Sequence, residues 1–376
     1  MSDDVALCTR RIISSAQDAV LRACYSLSDS VIFSSSVPKE VSDLRNVYDM
    51  DVASLSLATP QAAISALLGF LTTGSLSAAV LTSGGISSSV PILSRLASNL
   101  TGGVVHSATS SLSSSAHCID TDASDAMGAR WTGMAMIFSS NAQEAYDLSI
   151  IAHLASLKTK IPFLHIYPSE NGSYEIRDVC YITDNKLKDL IDESAFRAFR
   201  ANGLSSENSA VFGTVQDSST YFQSREALNR YYSALSEILQ RELDKFAKAT
   251  GRQYNAFDYI GSKEASKLII IMGQGSDTVS DTVEYLNKKG EKTAVIKVRL
   301  YRPFNAKALM NIIPKTVRFI TVLDNTKEAG SSGEALYKDV CTAIEESGRR
   351  FNAVLGGRYG IGGKSFTNAA VASIFI

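Results

Sequence analysis

Three times in the last third of the chain, a strand-length run rich in Val, Ile and Leu gives way to a turn and then to a helical pattern. "KLIIIMG" (267–273) precedes "SDTVSDTVEYLNKKG" (276–290), where Val279, Val283 and Leu286 share one face and Gly290 stops the pattern. "KTAVIKVRL" (292–300) precedes "NAKALMNII" (305–313), and "VRFITVLD" (317–324) precedes "GEALYKDVCTAIEES" (333–347). Continuous rather than alternating hydrophobicity means strands covered on both faces. Repeated strand–helix units therefore predict a parallel sheet between helical layers. Upstream, "AQEAYDLSIIAHLASLK" (142–158) reads as a helix capped by Ser140 with Gln143 three residues on, and "IPFLHIY" (161–167) as the strand after it. Small residues crowd 52–143, which lets layers approach closely. A long helical pattern over 224–249 ends at "TGRQYNAFDYIGSKEA" (250–265). The fold class is α/β, with domains expected at 1–255 and 256–376.

Lys and Arg number 37 against 38 Asp and Glu, so the charge balance points to no nucleic acid and no anionic membrane as partner. No apolar run approaches the roughly 20 residues that span a bilayer. The start, "MSDDVALCTRR", lacks the apolar core of a signal peptide. The five cysteines are scattered with no Cys-x-x-Cys pair, so the expected compartment is the cytoplasm and no iron–sulfur cluster or structural zinc is expected.

Candidate chemistry gathers in a few loops. "MGQGSDT" (272–278) reads as a structural turn rather than a phosphate loop, since Asp277 interrupts the glycine pattern. "LDNTKEAGSSGEALY" (323–337) follows a strand and offers Asp324, Asn325, Lys327 and Glu328 as a binding or interface loop. "GGRYGIGGKSF" (356–366) adds Arg358 and Lys364 in a second contact loop. Of the four histidines, His153 and His165 sit in apolar patterns and read as core residues rather than ligands. The other two, His106 and His117, flank an uncharged tract, "VHSATSSLSSSAH" (105–117).

Much of the chain resembles the N-terminal domains of pyruvate:ferredoxin (flavodoxin) oxidoreductases. The carriers are "GARWTGMAMIFSSNAQEAYDLSIIAHLA" (128–155), "GTVQDSSTYFQSREALNRYY" (213–232), "KVRLYRPF" (297–304), "VLDNTKEAGSSGEALYKDV" (322–340) and "GGRYGIGGKSFT" (356–367). The resemblance implies a thiamine-diphosphate-binding-type (pyrimidine) domain with a three-layer parallel sheet, then a transketolase C-terminal-like α/β domain. It also implies two site residues that this sequence lacks. The family's loop between the two histidines carries an Arg that grips the substrate carboxylate, whereas 107–116 here holds no Arg or Lys, and the position falls near Ser110. Loss of one partner of such a buried pair costs roughly 3–5 kcal/mol. The Glu expected beside the aminopyrimidine falls at Thr59–Ala62, around Pro60, and no Glu occurs between Val41 and Gln143. Asp49 and Asp51 are the nearest carboxylates in sequence, and Ser34 or Ser35 stands for a family Thr.

These losses favour a non-catalytic region used for assembly or docking. The resemblance places such a region in the flavoprotein subunit of assimilatory NADPH-sulfite reductases, ahead of a module binding FAD and NADPH. Ser34, Asp49, Asp51, Pro60, His106, Ser110 and His117 would then be vestiges of a coenzyme site, with no catalytic residue, metal or cofactor held here. The alternative is the N-terminal half of a working thiamine-dependent 2-oxoacid oxidoreductase. Either reading expects a downstream domain or subunit as partner and homo-oligomeric assembly, and the apolar end "VASIFI" suggests a chain that continues past Ile376.

Overall fold

The computed structural model describes residues 10–35, 38, 44–81, 84–110, 118, 120–168, 176–211 and 213–376. It builds two parallel sheets and a small antiparallel pair, β1 (Arg10–Ser14) with β8 (Arg177–Tyr181). The first sheet uses β2 (Ser30–Phe33), β3 (Ala53–Ser56), β4 (Ser77–Leu81), β5 (Val104–Ala108), β6 (Ala135–Phe138) and β7 (Phe163–Tyr167), all parallel. The second uses β9 (Phe257–Gly261), β10 (Lys267–Met272), β11 (Thr293–Val298), β13 (Phe319–Asp324) and β14 (Ala353–Arg358) in the order β14-β13-β10-β11-β9, with β9 antiparallel. Val, Ile and Leu fill β10 and β11, whose side chains are buried on both faces, as the continuous apolar runs predict.

The run at 292–300 is not one strand. It breaks at Arg299, and β12 (Leu300–Arg302) crosses to the first sheet, where it pairs antiparallel with β6 and gives the order β12-β6-β7-β5-β4-β2-β3. One apolar core therefore runs without interruption from Ile32 and Leu164 of the first half to Leu268 and Leu336 of the second. The reason for the break is electrostatic. Arg299 is 6% exposed, and its guanidinium donates to Glu144 at 2.6 Å and to Asp258, while its flat face stacks on Tyr254.

Helix Ala142–Thr159 is buried along almost its whole length. Its cap is Asn141, one residue after the Ser140 expected from sequence: Asn141 Oδ1 accepts from the Glu144 N–H, and Glu144 Oε2 accepts from the Ser140 N–H. Glu144 thus serves both the cap and Arg299, which spacing alone does not disclose. The helical pattern at 224–249 resolves into Tyr221–Glu226 and Asn229–Thr250. Among the described residues no helix is long and apolar enough to cross a membrane.

Candidate functional site

Because β2 to β7 run parallel, their C-terminal ends share one edge. Ser34 leaves β2 there, its N–H donating to Val80 O at 3.3 Å. Thr59 caps helix Pro60–Thr72, its hydroxyl accepting from the Ala62 N–H at 3.2 Å, and Pro60 occupies the first turn. The position expected to hold an acid is thus a helix start built from Thr and Pro. Helix Gly85–Ser98 begins beside it after Gly84, which has a φ of 74°. A Cβ on Gly85 would come within 3.0 Å of the Pro60 ring, so glycine lets the two helix starts meet.

That second helix start has no side-chain cap of its own. Asp125 supplies one from a distance: it accepts from the Ile86 N–H (3.1 Å), the Ser87 N–H (2.9 Å) and the Ser87 hydroxyl. Burial pushes the Asp125 carboxyl up, against the pull of those amides. Ser110 is buried just past β5, its hydroxyl without a hydrogen-bond partner among the described residues. The neighbouring Thr109 carbonyl accepts from the Asp122 N–H at 3.3 Å, so the loop after β5 and the segment before Asp125 lie together. Nothing in the sequence spacing marks Asp125; the signal available was an acid at a short helical turn in "TDASDAMG".

The other expected residues stand elsewhere. Asp49 and Asp51 lie ahead of β3, at the opposite edge, exposed and paired with Arg45 at 3.0 and 3.1 Å. That placement puts neither carboxylate at the edge where the Glu is expected. His106 lies within β5, fully buried, and faces the helical layer rather than the edge. Register explains it: His106 pairs with His165 across β5 and β7, and their Nδ1 atoms meet at 2.9 Å. His153 and His165 are buried, as the apolar patterns predict, and desolvation lowers them to about 4 and about 3. His117 lies outside the described residues.

The two candidate loops of the second half close onto this edge. Asn325 accepts from the Ala123 N–H and donates to Tyr359 O; the Lys327 N–H donates to the Ser124 hydroxyl; Glu328 pairs with Arg130 at 3.1 Å. Arg358 pairs with Glu334 at 3.1 Å. The Gly362 N–H donates to Thr121 O, and Lys364 lines a cleft of about 250 Å³ with Thr121, Gln274, Asp277 and Arg177. Asp277, in the turn read as structural, is held by Lys297, Ser140 and Asn141. Both loops are thus contacts within the chain.

Asp324 ends β13 fully buried and caps helix Ala335–Ser347, accepting from the Leu336 and Tyr337 N–H groups. Burial pushes its carboxyl up from 3.8 to about 6, only partly offset by those amides, while Glu334 and Asp339 push it further up. An acid raised in the fold binds more protons folded than unfolded, so stability falls as pH rises between 3.8 and 6 and levels above that window. Asp324→Asn is expected to flatten this slope, worth about 3 kcal/mol, in urea unfolding followed from pH 4 to pH 7.

This arrangement defines a class: two α/β layers with facing C-terminal edges, the plan of thiamine-type oxidoreductase and transketolase chains. Among solved structures, 2-oxoglutarate:ferredoxin oxidoreductase from Magnetococcus marinus superposes with a TM-score of 0.68 at 14% identity, over 97% of this chain and 64% of that one. A split-gene transketolase in its inactive β4 tetramer gives 0.55 at 10% identity, over 96% of both chains. At such identities the likeness is one of fold. Residues 34–243 match the family model for pyruvate flavodoxin/ferredoxin oxidoreductase, thiamine diphosphate-binding, and 265–371 match pyruvate:ferredoxin oxidoreductase core domain II. The chain belongs to the pyruvate flavodoxin/ferredoxin oxidoreductase family. It is 39% identical over 380 residues to the pyruvate-flavodoxin oxidoreductase of Nostoc sp. (strain PCC 7120), covering 95% of this chain and 32% of the relative. It is also 39% identical over 331 residues to pyruvate:ferredoxin oxidoreductase of Moorella thermoacetica, covering 88% of this chain and 28% of the relative. The chain thus spans about a third of the length of these curated relatives.

Proposed function

We propose that this chain is the coenzyme-facing N-terminal region of a larger oxidoreductase acting on pyruvate or a related 2-oxoacid, with electron transfer carried by further domains or subunits. The observation that carries this reading is the identity of 39% along 95% of the chain to a protein named pyruvate-flavodoxin oxidoreductase. The edge built from Ser34, Pro60, Gly84, Gly85, Ser110 and Asp125 is then the surface for the aminopyrimidine of thiamine diphosphate. Bound there, the coenzyme would supply a carbanion able to attack a 2-oxoacid carbonyl, chemistry that needs a carboxyl near the pyrimidine. Asp125 is a buried carboxyl with a raised pKa at this edge and fits that need in part. Among the described residues the edge offers no grip on a substrate carboxylate: Ser110 stands where an Arg is expected, and Arg130 is committed to Glu328 and the Met127 carbonyl.

A second reading draws on that mismatch. With Thr59 and Pro60 in the acid's place and Ser110 in the cation's, the region serves as an assembly scaffold. The NADPH-sulfite reductase type, with FAD and NADPH on a downstream module, is its expected setting. Calorimetry of the whole protein with thiamine diphosphate and Mg²⁺ separates the two. The first reading expects saturable binding that Asp125→Asn abolishes without loss of the folded far-UV spectrum, and pyruvate-dependent reduction of flavodoxin. No binding at millimolar coenzyme sinks the first and leaves the scaffold.

A further inference from the structure

Beneath the sheet, on the face away from the candidate edge, Cys24, His106 and His153 each bring one ligand atom within 4.8 Å of the others, and all three are buried. Cys24 comes from helix Ala16–Leu27, His153 from helix Ala142–Thr159 and His106 from β5. Their hydrogen bonds define which nitrogens remain. His153 Nδ1 lies 2.9 Å from the Ser149 carbonyl oxygen, which can only accept, so Nδ1 carries the proton and the neutral ring presents a bare lone pair at Nε2. That Nε2 is buried without a partner among the described residues, and so is Nε2 of His106. His106 Nδ1 meets His165 Nδ1 at 2.9 Å, and His165 Nε2 meets the Ser139 hydroxyl at 2.6 Å. With His106 donating to His165 and His165 to Ser139, both ring protons have acceptors and His106 Nε2 is also a bare lone pair. Buried lone pairs with nothing to accept are costly, and a cation answers both at once. The two Nδ1–H donors are the outer hydrogen bonds that fix imidazole ligands on metals.

We infer that Cys24, His106 and His153 form a buried, three-coordinate site for a single Cu(I) ion. The choice of ion follows from charge and hardness. One thiolate and two neutral imidazoles cancel the charge of a monovalent cation, leaving a neutral complex in a dry pocket. A divalent zinc complex there would keep a net positive charge, which is costly to bury, and would lack the fourth ligand that zinc prefers. The thiolate also selects a soft ion. Bonds of about 2.0–2.3 Å place ligand atoms roughly 3.5–4 Å apart, so the side chains close on the ion by rotations of about an ångström or less. On binding, the Cys24 S–H bond breaks, the S–Cu bond forms, and one proton leaves to solvent. No electron is exchanged. A small cavity of about 20 Å³, lined by Asn46, Val47 and Leu154 among others, reaches His153.

The test uses the whole protein under anaerobic conditions, titrated with Cu(I) against the coloured chelator bathocuproine disulfonate, with Zn²⁺ in a parallel arm. The expected result is one Cu(I) withheld per chain, a copper K-edge spectrum reporting one sulfur and two nitrogens, and at least a 100-fold loss of retention in Cys24→Ala. Cys118→Ala, remote from the cluster, is expected to retain copper. No retention, an all-sulfur shell, tighter binding of Zn²⁺ or unchanged retention in Cys24→Ala overturns the assignment. Because the K-edge spectrum is read on the unmutated protein, it decides the ligand set even where Cys24→Ala fails to fold.

Discussion

Arg299→Met is expected to lower the free energy of unfolding by about 3–5 kcal/mol, read as a fall in the urea midpoint. Arg299 stands at the crossing point where the chain leaves β11 and enters β12, and its guanidinium neutralises two carboxylates at once, Glu144 at 2.6 Å and Asp258. Methionine keeps much of the length and apolar stem of arginine but leaves both carboxylates facing a pocket with no cation. The main chain at this residue also ties the halves together, since the Phe138 N–H donates to Arg299 O, while within the second half the Arg299 N–H donates to Ala256 O. The result that would count against this account is a variant with an unchanged midpoint. Arg299→Lys is expected to recover only part of the loss, since one ammonium cannot fork to two acids as a guanidinium does.

The second large effect is expected at Asp147. Its carboxylate is fully buried and held by Arg252 at 2.6 and 2.7 Å, by the Tyr254 hydroxyl at 2.8 Å and by Gln143 at 3.2 Å. Asp147→Leu strands a guanidinium and a phenol and is expected to cost about 3–5 kcal/mol. Desolvation raises the Asp147 carboxyl and opposes the pull of Arg252, so the pair is a compromise rather than a pure gain. Asp147→Leu combined with Arg252→Met is therefore expected to regain most of the stability lost by the single change. A double variant no more stable than the single one would show that the contact matters for shape and not for charge balance.

The strands were the most legible part of this chain. "KLIIIMG" and "IPFLHIY" are apolar except at Lys267 and His165 and do not alternate, and strands covered on both faces ask for that. The helix at 142–158 was legible too, but its cap was not: Ser140 and Asn141 both qualify, and the choice is made by Glu144, which also answers to Arg299 from far along the chain. The break in 292–300 had a local sign, an arginine within an apolar run, whose meaning depends on two distant acids. The candidate site shows the same limit. Thr59 and Pro60 follow β3 and so lie at the C-terminal edge, whereas Asp49 and Asp51 are near in sequence and far in space, because the four residues of β3 separate them from that edge. Asp125 could not be found by counting, since it reaches its helix from outside. His106 was read with His117 as a loop boundary; its partner, His165, is set by strand register.

The short strand Leu300–Arg302 has an evolutionary corollary. It is encoded after β11 yet completes the border of the sheet that precedes it, so a recombination cut near residue 255 would separate that border from its sheet and leave the rim of β6 bare. A chain divided there is expected to expose an unpaired sheet edge, which favours keeping the two halves together when such regions are fused into larger proteins.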